Sequence, residues 1–326
     1  MIDRRSFIGT LAGGLLGAPR AAEAQQAARG VPRVGVVMPW TRQESSRALE
    51  SFMRGLRVLG WVEGQTVIIE ARYADGQADR VPGLSMELAS LKVNVIVTAG
   101  TTAIQAVRDA TTDIPIVMAG GGDPVGTGLV TTLARPGGRI TGVSLVGKEV
   151  LGKALELLKT AVPRTARVGV LMNAANPANG FLFKEMVEVG NVIGVQLHRI
   201  DVQGGADMDA AVARAQGGGL LVLADPLFFV HRVRIADLAL RHRLPSMFIG
   251  RPYAEAGGLL SYGILLDEVW ARAAGLVDRI LKGAKPGDLP VEQPTKLDFV
   301  INLKTAKALG LSIPQSLLQR ADQVIE

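Results

Sequence analysis

The stretch PRVGVVMP at residues 32–39 returns, little changed, as ARVGVLMN at residues 166–173. Each holds an apolar run of strand length, and each is followed by a helical pattern. After RVGVVM (33–38) and Pro39-Trp40 comes TRQESSRALESFMRGLRVLGW. There Thr41 and Glu44 have capping-box spacing, and Leu49, Phe52, Met53 and Leu56 recur on one helical face. TVIIEARY, VNVIVTAG (93–100) and IPIVMAG (114–120) are further strands, and TTAIQAVRDA opens a helix directly after the second of them. Parallel strands need a crossover between them, so strand-then-helix repetition implies a parallel sheet wound on both faces. The pattern restarts after RITGVSLV. ARVGVLMN leads to helical NGFLFKEMVEVGNV, then VQLHRIDV, a helix from about Asp207, GGLLVLAD (218–225), another helix and LPSMFIG (244–250).

The expected fold class is therefore α/β, with two doubly wound parallel-sheet lobes joined by a hinge. GGLLSYG (257–263) and KLDFVINLKTAKALGL (296–311) are left over and are read as crossing back between the lobes. With Pro163 and the Pro286–Pro294 region as linker punctuation, lobe 1 comprises residues 31–145 plus about 262–291. Lobe 2 comprises residues 146–261 plus about 292–326. At 326 residues, 48% of them hydrophobic, the chain has ample material for two cores. Two such sheets face each other across the C-terminal ends of their strands, where open α/β sheets bind ligands.

The N-terminus, MIDRRSFIGTLAGGLLGAPRAAEAQQ, has Arg4 and Arg5, an apolar centre from Phe7 to Ala18, and Ala22-Glu23-Ala24 before Gln25. This reads as a signal peptide of residues 1–24, cleaved after Ala24, with a periplasmic product. The centre is shorter than the ~20 residues that span a bilayer. The paired arginines before Ser-Phe-Ile are similar to a twin-arginine signal, although Asp3 stands where Ser or Thr is usual, so Sec export stays open. A cytosolic chain with a frayed N-terminus is the competing reading. No cysteine is present, which removes disulfides, thiol nucleophiles, cysteine metal sites and a lipid-anchoring Cys after the signal. The formal charge of +6 is dispersed. Its densest stretch, HRVRIADLALRHR (231–243), reads as a helix with a solvated basic face, so nucleic acid is not an expected partner.

The glycine-rich AGGGDPVGTGL (119–129) follows a strand as a phosphate loop would. A dinucleotide fingerprint needs glycine at its first, third and sixth places; Gly120 and Gly122 fit, but Val125 holds the sixth. Pro124 also lacks the N–H a phosphate would want. GVSLVGKE (142–149) has Walker spacing to Gly147-Lys148, but Glu149 replaces the magnesium-binding hydroxyl, so Gly142 and Gly147 are read as a hinge strand. No G-x-S-x-G elbow is present, since Val146 follows Ser144 and Leu145 where the second glycine belongs. The three histidines, His198, His231 and His242, are spaced for neither a triad nor a metal. No catalytic residue, metal site or cofactor is expected.

Recognition groups are better represented. Thr98, Gly100, Thr101 and Thr102 lie where a strand gives way to a helix, whose first N–H groups suit a carboxylate. Plain capping by Thr101 or Thr102 is the alternative. Trp40 ends the first strand in a chain only 4% aromatic, and offers either a stacking face or a helix-packing anchor. Asn173 holds the equivalent place in the second unit. Asp225 ends another strand, with a carboxylate for an ammonium or hydroxyl. Arg251 and Tyr253 follow SMFIG, and Tyr262 sits in the late crossing strand. Donors, an acid and aromatic faces converge without a nucleophile, as in a site that binds.

DIPIVMAGGGDPVGTGLVTTLARPGGRITGVS, RVGVLMNAANP, GGLLSYG and LPVEQPTKLDFVINLKTAKALGLSIPQSLL resemble the ABC-transporter substrate-binding proteins of the kind that includes tryptophan and tyrosine binders. The likeness covers essentially the whole chain after the signal. It implies a periplasmic-binding-protein fold of type I, a hinged cleft, and delivery of a small ligand to a permease in the inner membrane by a monomeric receptor. It implies pocket roles for Thr98 to Thr102, Asp123, Asn173 and Asp225. Arg251 departs from the amino-acid binders and favours an acid. The expected ligand is small and carboxylate-bearing, of aromatic or amino-acid character. An exported hydrolase or lyase on the same scaffold is the alternative, and the effector domain of a transcription regulator is a second, disfavoured by the signal segment.

Overall fold

The computed structural model describes residues 30–326. The reading of residues 1–24 as a signal peptide lies outside the described residues. The first unit runs β1 (Arg33–Met38), α1 (Arg42–Val58), β2 (Ile68–Tyr73), α2 (Val81–Ser90), β3 (Val95–Thr98), α3 (Thr101–Ala110), β4 (Ile116–Gly122) and β5 (Ile140–Val146). Its five strands are parallel in the order β2-β1-β3-β4-β5. The chain then continues as α4 (Lys148–Ala161), β6 (Arg167–Asn173), α5 (Ala178–Val192), β7 (Gln196–Val202), α6 (Met208–Ala213), β8 (Gly219–Val222), α7 (Pro226–Val230), α8 (Arg232–Arg241), β9 (Ser246–Phe248), α9 (Arg251–Glu255) and β10 (Leu260–Ile264). These strands form the second sheet in the order β7-β6-β8-β9-β10, the same winding as the first. The echo between residues 32–39 and 166–173 is thus an echo of position, since β1 and β6 each lie one strand in from the edge and start their units.

The helix after each fifth strand packs on the other unit. Leaving β5, the chain enters α4, whose Leu151, Leu155 and Leu158 are buried with the second sheet's Val170, Leu221 and Met247. Leaving β10, it enters α10 (Leu266–Leu281), whose Val269, Trp270, Ala273 and Val277 are buried with Val36, Val97 and Val117 of the first. It returns through β11 (Leu297–Asn302), antiparallel to β10, then α11 (Leu303–Ala308), α12 (Gln315–Leu318) and β12 (Gln323–Ile325), which extends the second sheet beside β11. Residues 260–264, which include Tyr262, thus stay with the second sheet, and the crossing to the first comes after Ile264. Gly142, expected in a hinge, lies inside β5 opposite Met118, where a Cβ would fall 2.4 Å from the Met118 carbonyl oxygen. Gly147 is the residue at the crossing, immediately before α4.

The capping box at the start of α1 is complete: the Glu44 N–H donates to the Thr41 hydroxyl at 3.3 Å, and the Thr41 N–H to the Glu44 carboxylate at 3.4 Å. The buried face of α1 is rotated from the expected one. Ser45, Ala48, Ser51, Phe52 and Leu56 are buried, while Leu49 and Met53 are half-buried. The reason is the nearness of α10. A Cβ on Gly55 would lie 2.8 Å from the Ala274 Cβ, so small residues face this helix contact and the larger ones flank it. Phe52 meets Trp270 edge-on with ring centroids 6.1 Å apart, and the Trp61 indole N–H donates to the buried Asp278 carboxylate at 2.8 Å.

Trp270 is fully buried on the returning helix and fills the space under Phe52. Trp270→Ala is expected to destabilise the protein by about 3–5 kcal/mol. Urea unfolding followed by circular dichroism measures this, and a loss under 1 kcal/mol would contradict the packing described for α10.

Candidate functional site

The C-terminal ends of β1, β3 and β4 face those of β8 and β9 across a partly enclosed space of about 90 Å³. This exceeds the ~10–15 Å³ that one water needs, and its walls are mostly apolar. The glycine stretch that began as a phosphate-loop candidate supplies the first-lobe wall. Gly120, Gly121 and Gly122 end β4 through a register shift against β5 and line the cavity with backbone. Gly120 has φ +107°, and a Cβ there would meet the Leu145 side chain at 2.6 Å. Only glycine fits both demands. The Thr101 hydroxyl accepts the Gly122 N–H at 3.1 Å, so it pins the end of this strand rather than capping a helix. The N-cap of α3 is Gly100, which has no side chain, and the first turn of α3 opens on the cavity.

The two lobes touch around this space. A Cβ on Gly100 would fall 2.5 Å from Pro226 Cγ, and one on Gly122 would fall 3.2 Å from the Ala178 Cβ. Backbone is therefore packed directly on the opposite lobe, as a closed cleft requires. Trp40, buried at the end of β1, stacks at a tilt on Phe229 of α7 with centroids 4.9 Å apart. Phe229 in turn meets Tyr253 edge-on at 6.3 Å. Outside this aromatic wall, Arg232 places its guanidinium 4.5 Å over the Phe229 ring and donates to Glu44 across the lobes at 2.8 Å. Glu44 thus uses one carboxylate oxygen to hold the start of α1 and the other to hold the second lobe.

Opposite the glycines stands Asp225, 6% exposed in the short turn between β8 and α7. Its carboxylate accepts three N–H groups: Asn173 Nδ2 at 2.9 Å, Asn176 Nδ2 at 2.8 Å, and the Leu227 backbone at 3.0 Å, which makes it the N-cap of α7. Among the described residues no lysine, arginine or histidine forms an ion pair with it. Burial pushes its pKa above the ordinary carboxylate value, and the N–H donors oppose that rise without cancelling it. Tyr253, buried beside it, has its phenol pushed far up, first by burial and then by the Asp225 charge.

Of the residues expected from sequence, Trp40, Gly100, Thr101, Asp225 and Tyr253 come together on the cavity wall. Asn173 stands one layer behind, holding Asp225. The others lie elsewhere. Thr98 is buried inside the first sheet and donates to the Val37 carbonyl at 2.9 Å, and Thr102 faces off the wall on the first turn of α3. Asp123 adopts φ +35° and caps its own loop, accepting the Gly126 N–H at 2.8 Å and the Thr127 hydroxyl through its carbonyl at 2.7 Å. Arg251, expected to meet an acidic ligand, instead forks onto the buried Asp298 and donates to Gln323 at 2.7 Å, tying α9 to β11 and β12. A carboxylate already present in the second sheet satisfies it. Tyr262 packs edge-on against Phe299 away from the cavity. Sequence reasoning missed Phe229, Asn176 and Asn179, all on the wall. The asparagines recur at every third position from Asn173, a signal present in NAANPAN.

A family model described as ABC transporter substrate binding protein matches residues 33–325. The chain is 26% identical over 267 residues to a tyrosine-binding protein of Clostridioides difficile (strain R20291), covering 81% of this chain and 77% of that one. Among solved structures, it resembles an ABC domain from Streptococcus pneumoniae in complex with L-Trp, with a TM-score of 0.85, 26% identity, and 90% and 99% of the two chains covered. A conserved domain protein from Vibrio cholerae matches at a TM-score of 0.84 and 25% identity over the same shares.

The Glu44–Arg232 pair bridges the two lobes, so opening of the cleft would break it. Glu44→Gln, which keeps the capping group and removes the charge, and Arg232→Met are each expected to weaken closure by about 0.5–1 kcal/mol. The chain has no cysteine, so dyes placed through Val58→Cys and Val192→Cys, both highly exposed and on opposite lobes, report the open fraction by energy transfer. The open fraction should rise about two- to fivefold in either variant, and an unchanged fraction in both would remove the pair from the closing mechanism.

Proposed function

Because the chain belongs to the ABC transporter substrate-binding protein family, we propose that it is the solute receptor of an importer and that its solute is an aromatic α-amino acid. The ligand's ammonium meets Asp225, its carboxylate meets the N–H groups at the start of α3 beside the glycine backbone, and its ring lies among Trp40, Phe229 and Tyr253. The observation that carries this reading is the buried Asp225 carboxylate. It stands on the wall of an apolar cavity, three N–H donors approach it, and no cationic side chain among the described residues neutralises it. A cation arriving with the ligand supplies the missing charge. The helix start opposite carries partial positive charge and unpaired N–H groups, so an ammonium and a carboxylate on one carbon are matched from the two lobes together.

Closure follows from this division. Each lobe holds one polar end of the ligand, so the bridged, closed form binds better than the open one, which is all a population shift requires. The tyrosine-binding relative and the tryptophan-bound neighbour support an aromatic side chain. In this reading residues 1–24 carry the chain to the periplasm by a twin-arginine-like signal. The mature protein works as a monomer, with lobe 1 formed by residues 31–145 and about 265–291 and lobe 2 by the remainder, and it hands its ligand to an inner-membrane permease. Because the family is one of substrate-binding proteins, an exported hydrolase or lyase is the poorer reading.

Thermal-shift and calorimetric titration with L-tryptophan, L-tyrosine, L-phenylalanine and their des-amino analogues tests the assignment. A ligand that binds only the folded form raises the melting temperature through mass action. Asp225→Asn keeps an N-cap side chain and removes the charge. It is expected to weaken binding of the amino acids by about 100-fold. Binding favours ionised Asp225, so affinity in the wild type is full at high pH and falls as the pH drops through the raised value of the free protein. That fall should begin above the ordinary carboxylate range of about 3.9. Wild-type affinity in Asp225→Asn would overturn the reading.

A further inference from the structure

We infer that Asn176 is the positioning residue for ligand recognition, holding the Asp225 Oδ2 oxygen as the one that meets the ligand's cation; this inference rests on the reading of Asp225 above. A carboxylate has about four acceptor sites, two on each oxygen. On Asp225, Oδ1 already accepts Asn173 Nδ2 and the Leu227 N–H, while Oδ2 accepts only Asn176 Nδ2. The remaining acceptor site is therefore on Oδ2, the oxygen held by the one of these two asparagines that lines the cavity.

The carboxamides cannot turn round. Asn173 Oδ1 accepts the Ala175 N–H at 3.0 Å, and Asn176 Oδ1 accepts the Ala178 N–H at 3.1 Å. Each carbonyl end is thus tied to its own backbone, which forces each NH₂ end toward Asp225. Asn179 Nδ2 donates to the Asn173 carbonyl at 3.0 Å and locks the turn from below. All three asparagines are more than nine-tenths buried. The pair offers Asp225 donors and no acceptor, so a protonated carboxyl would find no partner for its hydrogen among them. The cradle matches the anion alone, in one orientation. Asparagine is the side chain for this task because it joins an acceptor for the turn to a donor for the carboxylate without adding a charge of its own.

The groups that titrate or carry charge near Asp225 are few. Tyr253 faces it from α9, Arg232 from α8 is engaged with Glu44 of α1, and His231 precedes α8. Strand β6 and the first turn of α5 contribute only the asparagines, and the nearest charged residues of α3 and α5 are Arg108 and Lys184, well beyond their first turns. Burial holds the His231 imidazole below its ordinary value, so it also titrates in acid, but equally in wild type and variant.

The test is calorimetric titration of L-tryptophan and L-tyrosine across pH on the full chain, comparing wild type, Asn176→Ala, Asn176→Ser and Asp225→Asn. The serine hydroxyl can keep the turn onto Ala178 while losing the amide donor, which guards against a variant that fails for want of its helix start. Both Asn176 variants are expected to bind about tenfold more weakly at neutral pH. The acid limb of binding should also move to higher pH, because the anion has lost a donor. A merely structural role would weaken binding at every pH and leave the acid limb in place. If Asp225→Asn binds poorly while both Asn176 variants keep the wild-type affinity or the wild-type acid limb, the positioning role is wrong and the Asp225 reading stands. If Asp225→Asn binds normally, the reading itself has failed.

Discussion

A carboxylate inside an apolar cavity with no cation beside it is among the more expensive arrangements a protein can keep, and the second lobe is organised around one. Asp225 is buried just past β8, and its hydrogen-bond partners among the described residues are N–H groups. Neutral donors stabilise an anion less than an ion pair would, which is why the proposed reading brings the positive charge with the ligand. The loop between β6 and α5 is shaped by the same demand, since its asparagines spend their carbonyl ends on their own turns and their amide ends on Asp225. In the proposed reading, recognition and local folding there use the same hydrogen bonds.

The first lobe meets this charge with backbone. A strand ending in three glycines and a helix whose N-cap is glycine line the cavity with backbone rather than side chains. The absence of side chains has a second consequence. Gly100 and Gly122 let the main chain of one lobe rest on Pro226 and Ala178 of the other, so the walls can close fully. Outside the cavity the Glu44–Arg232 pair joins the lobes, while Trp40 and Phe229, in tilted contact, form part of its wall. In the proposed reading, affinity for the solute depends also on an ion pair outside the cavity, because the closed state is part of the binding equilibrium.

Sequence periodicity made much of this legible. The capping box, the doubled unit and the strand ends that border the cavity all follow from local pattern, and five of the expected site residues stand on the wall: Trp40, Gly100, Thr101, Asp225 and Tyr253. Arg251 shows where such reasoning stops. Its place after a strand suggested the cleft, but the direction of its side chain depends on Asp298, which is distant in sequence and joins the same sheet only through the last crossing. Thr98 and Asp123 are similar cases, one turned into the sheet and the other satisfied within its own loop. Phe229 escaped notice because an aromatic residue on a short helix reads as core until the opposite lobe is set beside it.

The alternation of apolar strands and helices, by itself, determined that the chain forms two parallel-sheet units of like winding, because hydrogen-bond crossovers and buried faces are local demands. Which side chains meet across the cleft, which oxygen of Asp225 stays free, and how closely the lobes approach were decided only by tertiary structure. These depend on contacts between segments remote in sequence, where the angle at which two units face each other selects the partners and no periodicity records it.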